Sequence, residues 1–226
     1  MDTANRWLIC ISGWICMPAT EKRGGSGKAF RKYWRVVFYP LGMFPAIWLL
    51  WQGQNGQLGA DPINAFERAL GLWAFRFLIV CLMLAPLRWL TGLNFLRYRR
   101  LTGLLAFFYA ALHVLTYVGL DHRFDWRVLW RDITHRPFVI LGMLAFVMLL
   151  PLALTSNLAS LRKLGRGWKK LHLAIFPAAV LAGVHFFLAF KTLNALSAFY
   201  LSVMAVVLVL RLPKWFGRRR SAAITR

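Results

Sequence analysis

Long apolar runs separated by short basic segments dominate the pattern of this 226-residue chain. Six runs come close to the roughly 20 helical residues that cross a bilayer. They cover residues 34–51, 70–90, 101–120, 137–155, 171–190 and 192–210. Such runs are too long for strands of a soluble sheet, and a backbone in lipid must satisfy its own hydrogen bonds within each helix. The pattern therefore predicts an all-α fold, a polytopic membrane bundle of six transmembrane helices.

The same pattern divides the chain into three regions. Residues 1–32 form a basic N-terminal extension, whose apolar stretch 7–19 is too short to span and lacks the basic start of a signal peptide. A Gly-rich basic linker at 22–28 indicates flexibility. Residues 33–212 are predicted to form the transmembrane domain, and residues 213–226 a basic cytoplasmic tail.

Composition supports a membrane protein. The chain is 59% hydrophobic and has only seven acidic residues, whereas soluble domains are about 45–50% apolar. A formal charge of +22 is also typical of nucleic-acid-binding proteins. The basic residues, however, lie in blocks between the apolar runs, as they do in membrane proteins. We therefore expect membrane lipid as the surrounding partner, and no nucleic acid.

The blocks of Lys and Arg predict the orientation. Of the 29 Lys and Arg residues, 22 lie in four segments that all face one side. These segments are the N-terminal flank, the loop between helices two and three, the loop between helices four and five, and the tail. The opposite loops carry five: Arg123, Arg127, Arg131, Arg136 and Lys191. Cytoplasmic loops carry the positive excess. The chain is thus predicted to be a multi-pass protein of a bacterial inner membrane with both termini cytoplasmic.

Three histidines fall inside predicted membrane helices, where a polar residue is a functional candidate by default: His113, His172 and His185. His113 lies roughly 20 Å from the basic edge and His185 roughly 22 Å, by the helical rise per residue. His172 lies at that edge. His122 and His135 belong to an outer loop and are expected to be solvated.

Matched depth is what axial haem ligation requires, since two neutral imidazoles from facing helices hold one iron. Small residues that would leave room for the macrocycle are Ala106, Ala110, Ala111, Ala178, Ala179, Ala182 and Gly183. The chain has no C-x-x-C-H, so the haem would be b-type. The alternative, that each histidine hydrogen-bonds to a neighbouring helix, stays open at this stage.

His172 and His185 are thirteen residues apart, about 220° around a straight helix, although Pro177 between them is able to kink it. His172 would therefore ligate a second haem, bind another cofactor or anchor at the interface. Spacing does not decide between these roles.

Three arginines are further candidates. Arg76, inside the second predicted helix, would either pair with a haem propionate or extend to the membrane surface. Arg99 and Arg100, before the third, would either set topology and bind anionic lipid or hold the phosphate of a flavin nucleotide.

Several short segments, in order and spacing, resemble a known family. They are LGADPI at 58–63, RRLTG at 99–103, ALHVLTY at 111–117, RPF at 136–138 and LGRGWKKLH at 164–172. From about residue 33 to 212 the chain resembles the MsrQ (YedZ) family of haem-binding membrane subunits, within the ferric-reductase-like transmembrane superfamily.

The resemblance implies a function. Members pass electrons from the respiratory quinone pool, through haem b, to a periplasmic molybdopterin-containing MsrP-type reductase that repairs methionine sulfoxide in oxidised periplasmic proteins. The family's three histidines match His113, His172 and His185. The family is also described as binding FMN, and its basic motif matches Arg99 and Arg100. Phe138 stands where Tyr is common, with little expected consequence.

Three alternatives remain. The chain would be a ferric or superoxide-generating reductase core that works with a separate flavoprotein, a proton-coupled transporter with histidines as relays, or a membrane scaffold. A visible spectrum separates the transporter, because a transporter would be colourless. A scaffold gives no reason for histidines at matched depth.

Overall fold

The computed structural model describes residues 26–92, 94–190 and 194–224, with side chains for 38–92, 94–190 and 194–211. Most of the predicted extension 1–32 lies outside the described residues, as do Lys191 and Thr192, where the sixth run begins. The chain divides into two units, Met1–Leu41 and Gly42–Arg226. The described part of the first unit, residues 26–41, is helical.

The backbone of the described residues is helical, with short connections and no strand. The α-helices are α1 Ser26–Gln54, α2 Pro62–Thr91, α3 Arg99–Thr116, α4 Trp126–His135, α5 Pro137–Leu154, α6 Leu158–Leu164, α7 Arg166–Leu171, α8 Ile175–Ala189 and α9 Ala195–Ile224. A 3₁₀ turn precedes α3, another separates α7 from α8, and a π-helical turn, Tyr117–Asp121, extends α3. The predicted all-α fold is confirmed for this part of the chain.

Four segments of the described chain are long and apolar enough to cross a membrane: Pro62–Thr91, Leu96–Asp121, Pro137–Leu154 and Arg166–Ala189. They coincide with the second to fifth predicted spans. Neither α1 nor Ala195–Arg211, a shorter apolar helix, is among them. Four spans thus agree with the sequence pattern, and the total of six stays a prediction.

The fifth predicted span is broken near its start. Residues His172–Ala174 form a 3₁₀ turn before α8 begins at Ile175. Pro177 has no backbone N–H and its ring clashes with the carbonyl four residues earlier, that of Leu173. The break therefore lies just before Pro177, where a proline disturbs a helix.

Two helix pairs build the core. The most extensive packing joins α2 to α3 and α5 to α8. Between the pairs, the apolar residues Phe75, Leu78, Ala178 and Ala179 belong to one buried cluster. The rings of Phe75 and Phe186 stack with centroids 4.7 Å apart. This arrangement places one face of α3 opposite one face of α8.

The two ends of the bundle differ in charge. At one end, here called the acidic end, α2 and α5 begin and α3 and α8 finish. All acidic residues of the described chain lie there: Asp61, Glu67, Asp121, Asp125 and Asp132. The opposite, basic end carries the described cations Arg88, Arg97, Arg99, Arg100, Arg162, Lys163, Arg166, Lys169, Lys170 and Arg211.

Candidate functional site

A cavity of about 520 Å³ lies between α2, α3, α5 and α8 and extends to the acidic end. Its volume is typical of cofactor and ligand sites, which measure about 300–1,000 Å³. Its deeper wall is apolar and includes Phe75, Leu78, Phe146 and Leu149. Such a wall excludes water from a bound group and lowers the local dielectric constant.

His113 of α3 and His185 of α8 face each other across this cavity. Their ring centroids lie 6.3 Å apart and their planes are inclined by 67°. Both side chains line the cavity. The matched depths predicted from helical rise therefore correspond to two imidazoles that meet.

Each imidazole is oriented by a backbone carbonyl of the neighbouring helix. His113 Nδ1 lies 2.9 Å from the carbonyl oxygen of Glu67, and His185 Nδ1 lies 2.6 Å from that of Phe138. A carbonyl only accepts, so Nδ1–H donates in both pairs and the lone pair of a neutral ring is on Nε2. The alternative of a histidine bonded to a neighbouring helix is thus also observed, and it leaves Nε2 available for a metal.

A glycine makes room for each of these contacts. A Cβ atom at Gly71 would lie 3.3 Å from Cε1 and Nδ1 of His113, and one at Gly142 would lie 2.8 Å from the same atoms of His185. Each glycine follows the accepting carbonyl by four residues, on the same helical face. Sequence reasoning missed both, because only the register between helices shows which glycine faces which histidine.

The histidine pair fits a haem rather than a metal held by side chains alone. Imidazole nitrogens bind metals at roughly 2 Å, so rings 6.3 Å apart leave space for one ion between them. Among the residues described, no group of three or more His, Cys, Asp or Glu is placed to hold a metal. Two axial nitrogens and an adjoining apolar cavity are what a porphyrin requires.

Three of the seven small residues expected to make room for a macrocycle line the cavity: Ala106, Ala110 and Ala182. The other four do not line this cavity. Ala178 and Ala179 are fully buried in the core cluster, and Gly183 lines a separate groove against α9. Ala111 is not among the cavity residues.

The mouth of the cavity at the acidic end is polar, lined by Asn64, Glu67, Arg68, Tyr117, Asp121 and Arg136. Behind it, Asp132 of α4 accepts a 2.6 Å hydrogen bond from the Tyr117 hydroxyl and pairs with Nε of Arg136 at 2.8 Å. The short helix α4 is thereby tied to the ends of α3 and α5.

His122 belongs to this network, so its expected solvation was wrong. Its side chain is 11% exposed, Nε2 lies 3.5 Å from Asp132, and the ring contacts Tyr117 edge-on. His135, in contrast, is exposed, as expected, and its Nδ1–H donates to the Arg131 carbonyl.

His172 lies apart from the pair, near the basic end. Its ring stacks on Trp168 with centroids 3.9 Å apart, and Nδ1 lies 3.1 Å from the Trp168 carbonyl. Its Nε2 is buried, with no hydrogen-bond partner among the described residues. The structure therefore does not bring His172 to the cavity of His113 and His185.

Arg76 also lies outside the cavity. Its Nε donates a 2.8 Å hydrogen bond to the Tyr200 hydroxyl, and its guanidinium lies 4.7 Å from the ring centroid of Trp73. These contacts tie α2 to α9. Both expected roles of Arg76, pairing with a haem propionate and extension to the membrane surface, stay predictions.

Arg99 and Arg100 begin α3 at the basic end, far along the helix from His113. Arg99 is half-buried and Arg100 is exposed. The two arginines therefore belong to a different part of the molecule from the histidine pair.

Comparison with known proteins assigns the chain to a family. The family of ferric reductase like transmembrane components matches residues 70–183, the part that contains His113 and His172 and ends two residues before His185. A protein-methionine-sulfoxide reductase heme-binding subunit MsrQ from Brucella anthropi is 45% identical over 205 residues, covering 90% of this chain and 93% of that protein. The chain belongs to the MsrQ family. MsrQ proteins from Brucella ovis and Brucella canis are likewise 45% identical, over 84% of this chain and 87% of theirs. No solved structure matches it.

Membership of the MsrQ family agrees with the resemblance found in the sequence segments. The family match begins at residue 70, where α2 is buried, and ends at residue 183 within α8. It therefore covers α3 and α5 in full and most of α2 and α8. His113 and the apolar wall of the cavity on α2, α3 and α5 lie in the matched part, and His185 lies two residues beyond it.

Proposed function

We propose that this chain is the haem-binding membrane subunit of a methionine sulfoxide reductase system and carries electrons from the respiratory quinone pool to a periplasmic molybdopterin-containing MsrP-type reductase. The observation that carries the proposal is the pair of imidazoles, His113 and His185, 6.3 Å apart with both Nδ1 atoms engaged by carbonyls. Relatives of 45% identity that bear the name heme-binding subunit support it.

In this proposal, His113 and His185 ligate haem b through Nε2. When bound, the haem supplies one-electron redox chemistry at a potential that its surroundings tune. The Glu67 and Phe138 carbonyls hold the Nδ1 protons and fix the ring orientations. Phe75, Phe146 and the other apolar wall residues exclude water from the macrocycle.

Six spans and an inner-membrane location complete the proposed topology, with the basic end and both termini in the cytoplasm. The concentration of Lys and Arg at the basic end supports this orientation. The acidic end, with the mouth of the cavity, then faces the periplasm. Residues 52–64 and residues 119–136, which contain α4, lie there and would contact the reductase partner.

FMN is the second proposed cofactor, with Arg99 and Arg100 at the basic end as the residues that would hold its phosphate. The support is electrostatic, since these two arginines begin α3 in a region without any described carboxylate. Quinol or reduced flavin would be the electron donor to the haem.

The electron path is tested with membrane vesicles that contain the chain and a purified MsrP-type reductase. Under anaerobic conditions, added quinol should reduce the haem, as seen in its visible spectrum. Addition of the reductase and methionine sulfoxide should then reoxidise it. A haem that quinol does not reduce, or that the complete system leaves reduced, would contradict the proposed path.

A ferric-reductase-like core that works with a separate flavoprotein is the second candidate, because the ferric reductase like family matches residues 70–183. In the same vesicles, this candidate predicts that a reduced flavoprotein reduces the haem and that a ferric chelate reoxidises it. Methionine sulfoxide should have no effect on the haem spectrum.

A further inference from the structure

The mouth of the histidine cavity is suited to the acidic groups that a haem carries. A haem between His113 and His185 would present two propionate carboxylates at one edge of its macrocycle, so this inference rests on the haem binding proposed above. The deeper wall of the cavity is apolar, with Phe75, Leu78 and Phe146 among its residues. A carboxylate buried there without a partner would be strongly unfavourable. We therefore expect the propionates to lie toward the polar mouth, at the acidic end.

Two arginines reach this mouth from the helices that orient the imidazoles. Arg68 directly follows the residue of α2 whose carbonyl oxygen lies 2.9 Å from Nδ1 of His113. Arg136, immediately before α5, lies two residues before the one whose carbonyl oxygen lies 2.6 Å from Nδ1 of His185. Both arginines line the cavity. Each of these two helices is therefore accompanied by a cation in the same cavity as the imidazole that it orients.

The contacts described for these arginines leave donors for a further carboxylate. Nε of Arg136 pairs with the Asp132 carboxylate at 2.8 Å, and that carboxylate also accepts from the Tyr117 hydroxyl. A guanidinium carries further N–H groups on its Nη atoms, so Arg136 is oriented by Asp132 and is still able to bind a second anion. Among the described residues, no ion pair or hydrogen bond engages the Arg68 side chain.

Carboxylates of the chain limit where the propionates lie. Glu67 and Asp121 also line the mouth of the cavity, and like charges repel each other. A propionate at this mouth is therefore stable only in direct contact with a cation.

We propose that Arg68 and Arg136 bind the propionate carboxylates of the haem, one each, at the mouth of the cavity. Guanidinium groups match the two oxygens of a carboxylate by paired hydrogen bonds. Arg76, the propionate partner expected from the sequence, is not among the cavity residues, and its Nε donates to the Tyr200 hydroxyl. The two arginines fix which edge of the macrocycle faces the acidic end.

Titration of the full-length apoprotein in mild detergent with haem and with haem dimethyl ester tests the proposal. The ester keeps the iron and the macrocycle but has no propionate charge, and the low-spin visible spectrum reports binding of either molecule. Wild-type protein should bind haem at least about tenfold more tightly than the ester, because charge-assisted hydrogen bonds are made only with haem. In Arg68→Gln and in Arg136→Gln, the ratio of haem affinity to ester affinity should fall about tenfold. A purely structural defect would weaken both molecules equally and leave this ratio unchanged.

Arg127→Gln is the matched control, because Arg127 is an exposed arginine of α4 at the same end and is not among the cavity residues. Its affinity ratio should equal that of the wild type, as should the ratio of Arg76→Gln. Should Arg136→Gln not fold, Arg136→Lys, which keeps the charge but loses the fork of donors, should fold and show an intermediate ratio.

Equal affinity of the wild type for haem and ester would overturn the proposal. An unchanged ratio in Arg68→Gln and in the folded Arg136 variant, or a ratio that falls only in Arg76→Gln, would also overturn it. A wild type that gives no low-spin spectrum with haem would overturn both the proposed haem binding and the role of the arginines, and this result is distinct from any change in the ratio.

Discussion

His113 and His185 are oriented by the same local device on two different helix pairs. In each, Nδ1 approaches a backbone carbonyl, that of Glu67 or Phe138, and a glycine four residues later leaves the approach open. The hydrogen bond uses the backbone of residue 138 rather than its side chain. This explains why Phe at a position where Tyr is common is expected to have little consequence.

The glycine beside His185 provides a sharp test at the residue scale. In Gly142→Ala, the new methyl group would lie 2.8 Å from the imidazole, so the ring must move away from the Phe138 carbonyl. Loss of an orienting hydrogen bond typically weakens metal binding about 10- to 100-fold. We expect haem affinity, measured by titration of apoprotein with haem, to fall by that order. Gly71→Ala, at 3.3 Å, should have a smaller effect.

Gly183→Ala is the matched control for this prediction. Gly183 lies on the same helix as His185, two residues away, but a Cβ atom there would meet nothing within 4 Å. Haem affinity should stay at the wild-type value. An equal loss in Gly142→Ala and Gly183→Ala would show that helix perturbation, rather than contact with the imidazole, is responsible.

At this scale the sequence predicted residue depth but not residue orientation. Helical rise alone placed His113 and His185 at one level, and the structure brings their rings together. The contacts of Arg76 with Tyr200 and of His122 with Asp132 depend on which helices neighbour each other. A single sequence without a known packing arrangement does not contain that information.

At the scale of elements, α4 is the main departure from the sequence pattern. The segment between the third and fourth predicted spans, which carries His122 and His135, was predicted as an outer loop. The segment instead contains the helix Trp126–His135, capped by the Asp125 side chain, which accepts from the N–H groups of Arg127 and Val128. Its side chain Asp132 joins it to Tyr117 and Arg136.

Removal of the Asp132 charge should loosen α4. Asp132→Asn loses the ion pair with Arg136 and weakens the bond from Tyr117, and hydrogen bonds to charged groups contribute about 1.5–3 kcal/mol each. Since the Asn amide keeps part of this bonding, we expect a loss of stability of about 1–2 kcal/mol, measured as a lower midpoint of thermal unfolding. Asp121→Asn is the control, because the ion pair described for its carboxylate is a longer one, 3.6 Å from His122. Equal midpoints for the two variants would contradict this role of Asp132.

At the scale of the whole molecule, charge is segregated between the two ends. All described carboxylates lie at the acidic end and most described cations at the basic end. This charge asymmetry could be predicted from the sequence, because the order of the apolar runs alone assigns each charged segment to one end of the bundle. The total of six spans stays a prediction, because the described chain has candidate spans at the second to fifth runs and a shorter apolar helix at Ala195–Arg211.

Six spans with a cytoplasmic basic end predict which reporter proteins are active when they are fused at each end of the bundle. Green fluorescent protein fused after Arg226 should fluoresce, and alkaline phosphatase fused at that position should be inactive. Phosphatase inserted after Arg123, in the turn before α4 at the acidic end, should be active. The N-terminus, tagged separately, should be on the same side as the C-terminus. Termini on opposite sides of the membrane would exclude an even number of spans.

The central claim is that His113 and His185 hold one haem between them. The most direct measurement is the visible and electron paramagnetic resonance spectrum of protein purified from haem-replete cells, for the wild type, His113→Ala, His185→Ala and the exposed control His135→Ala. The account predicts a low-spin haem signal in the wild type and in His135→Ala, and its loss in the other two variants. A colourless wild type, or the same low-spin signal in all four proteins, would contradict it.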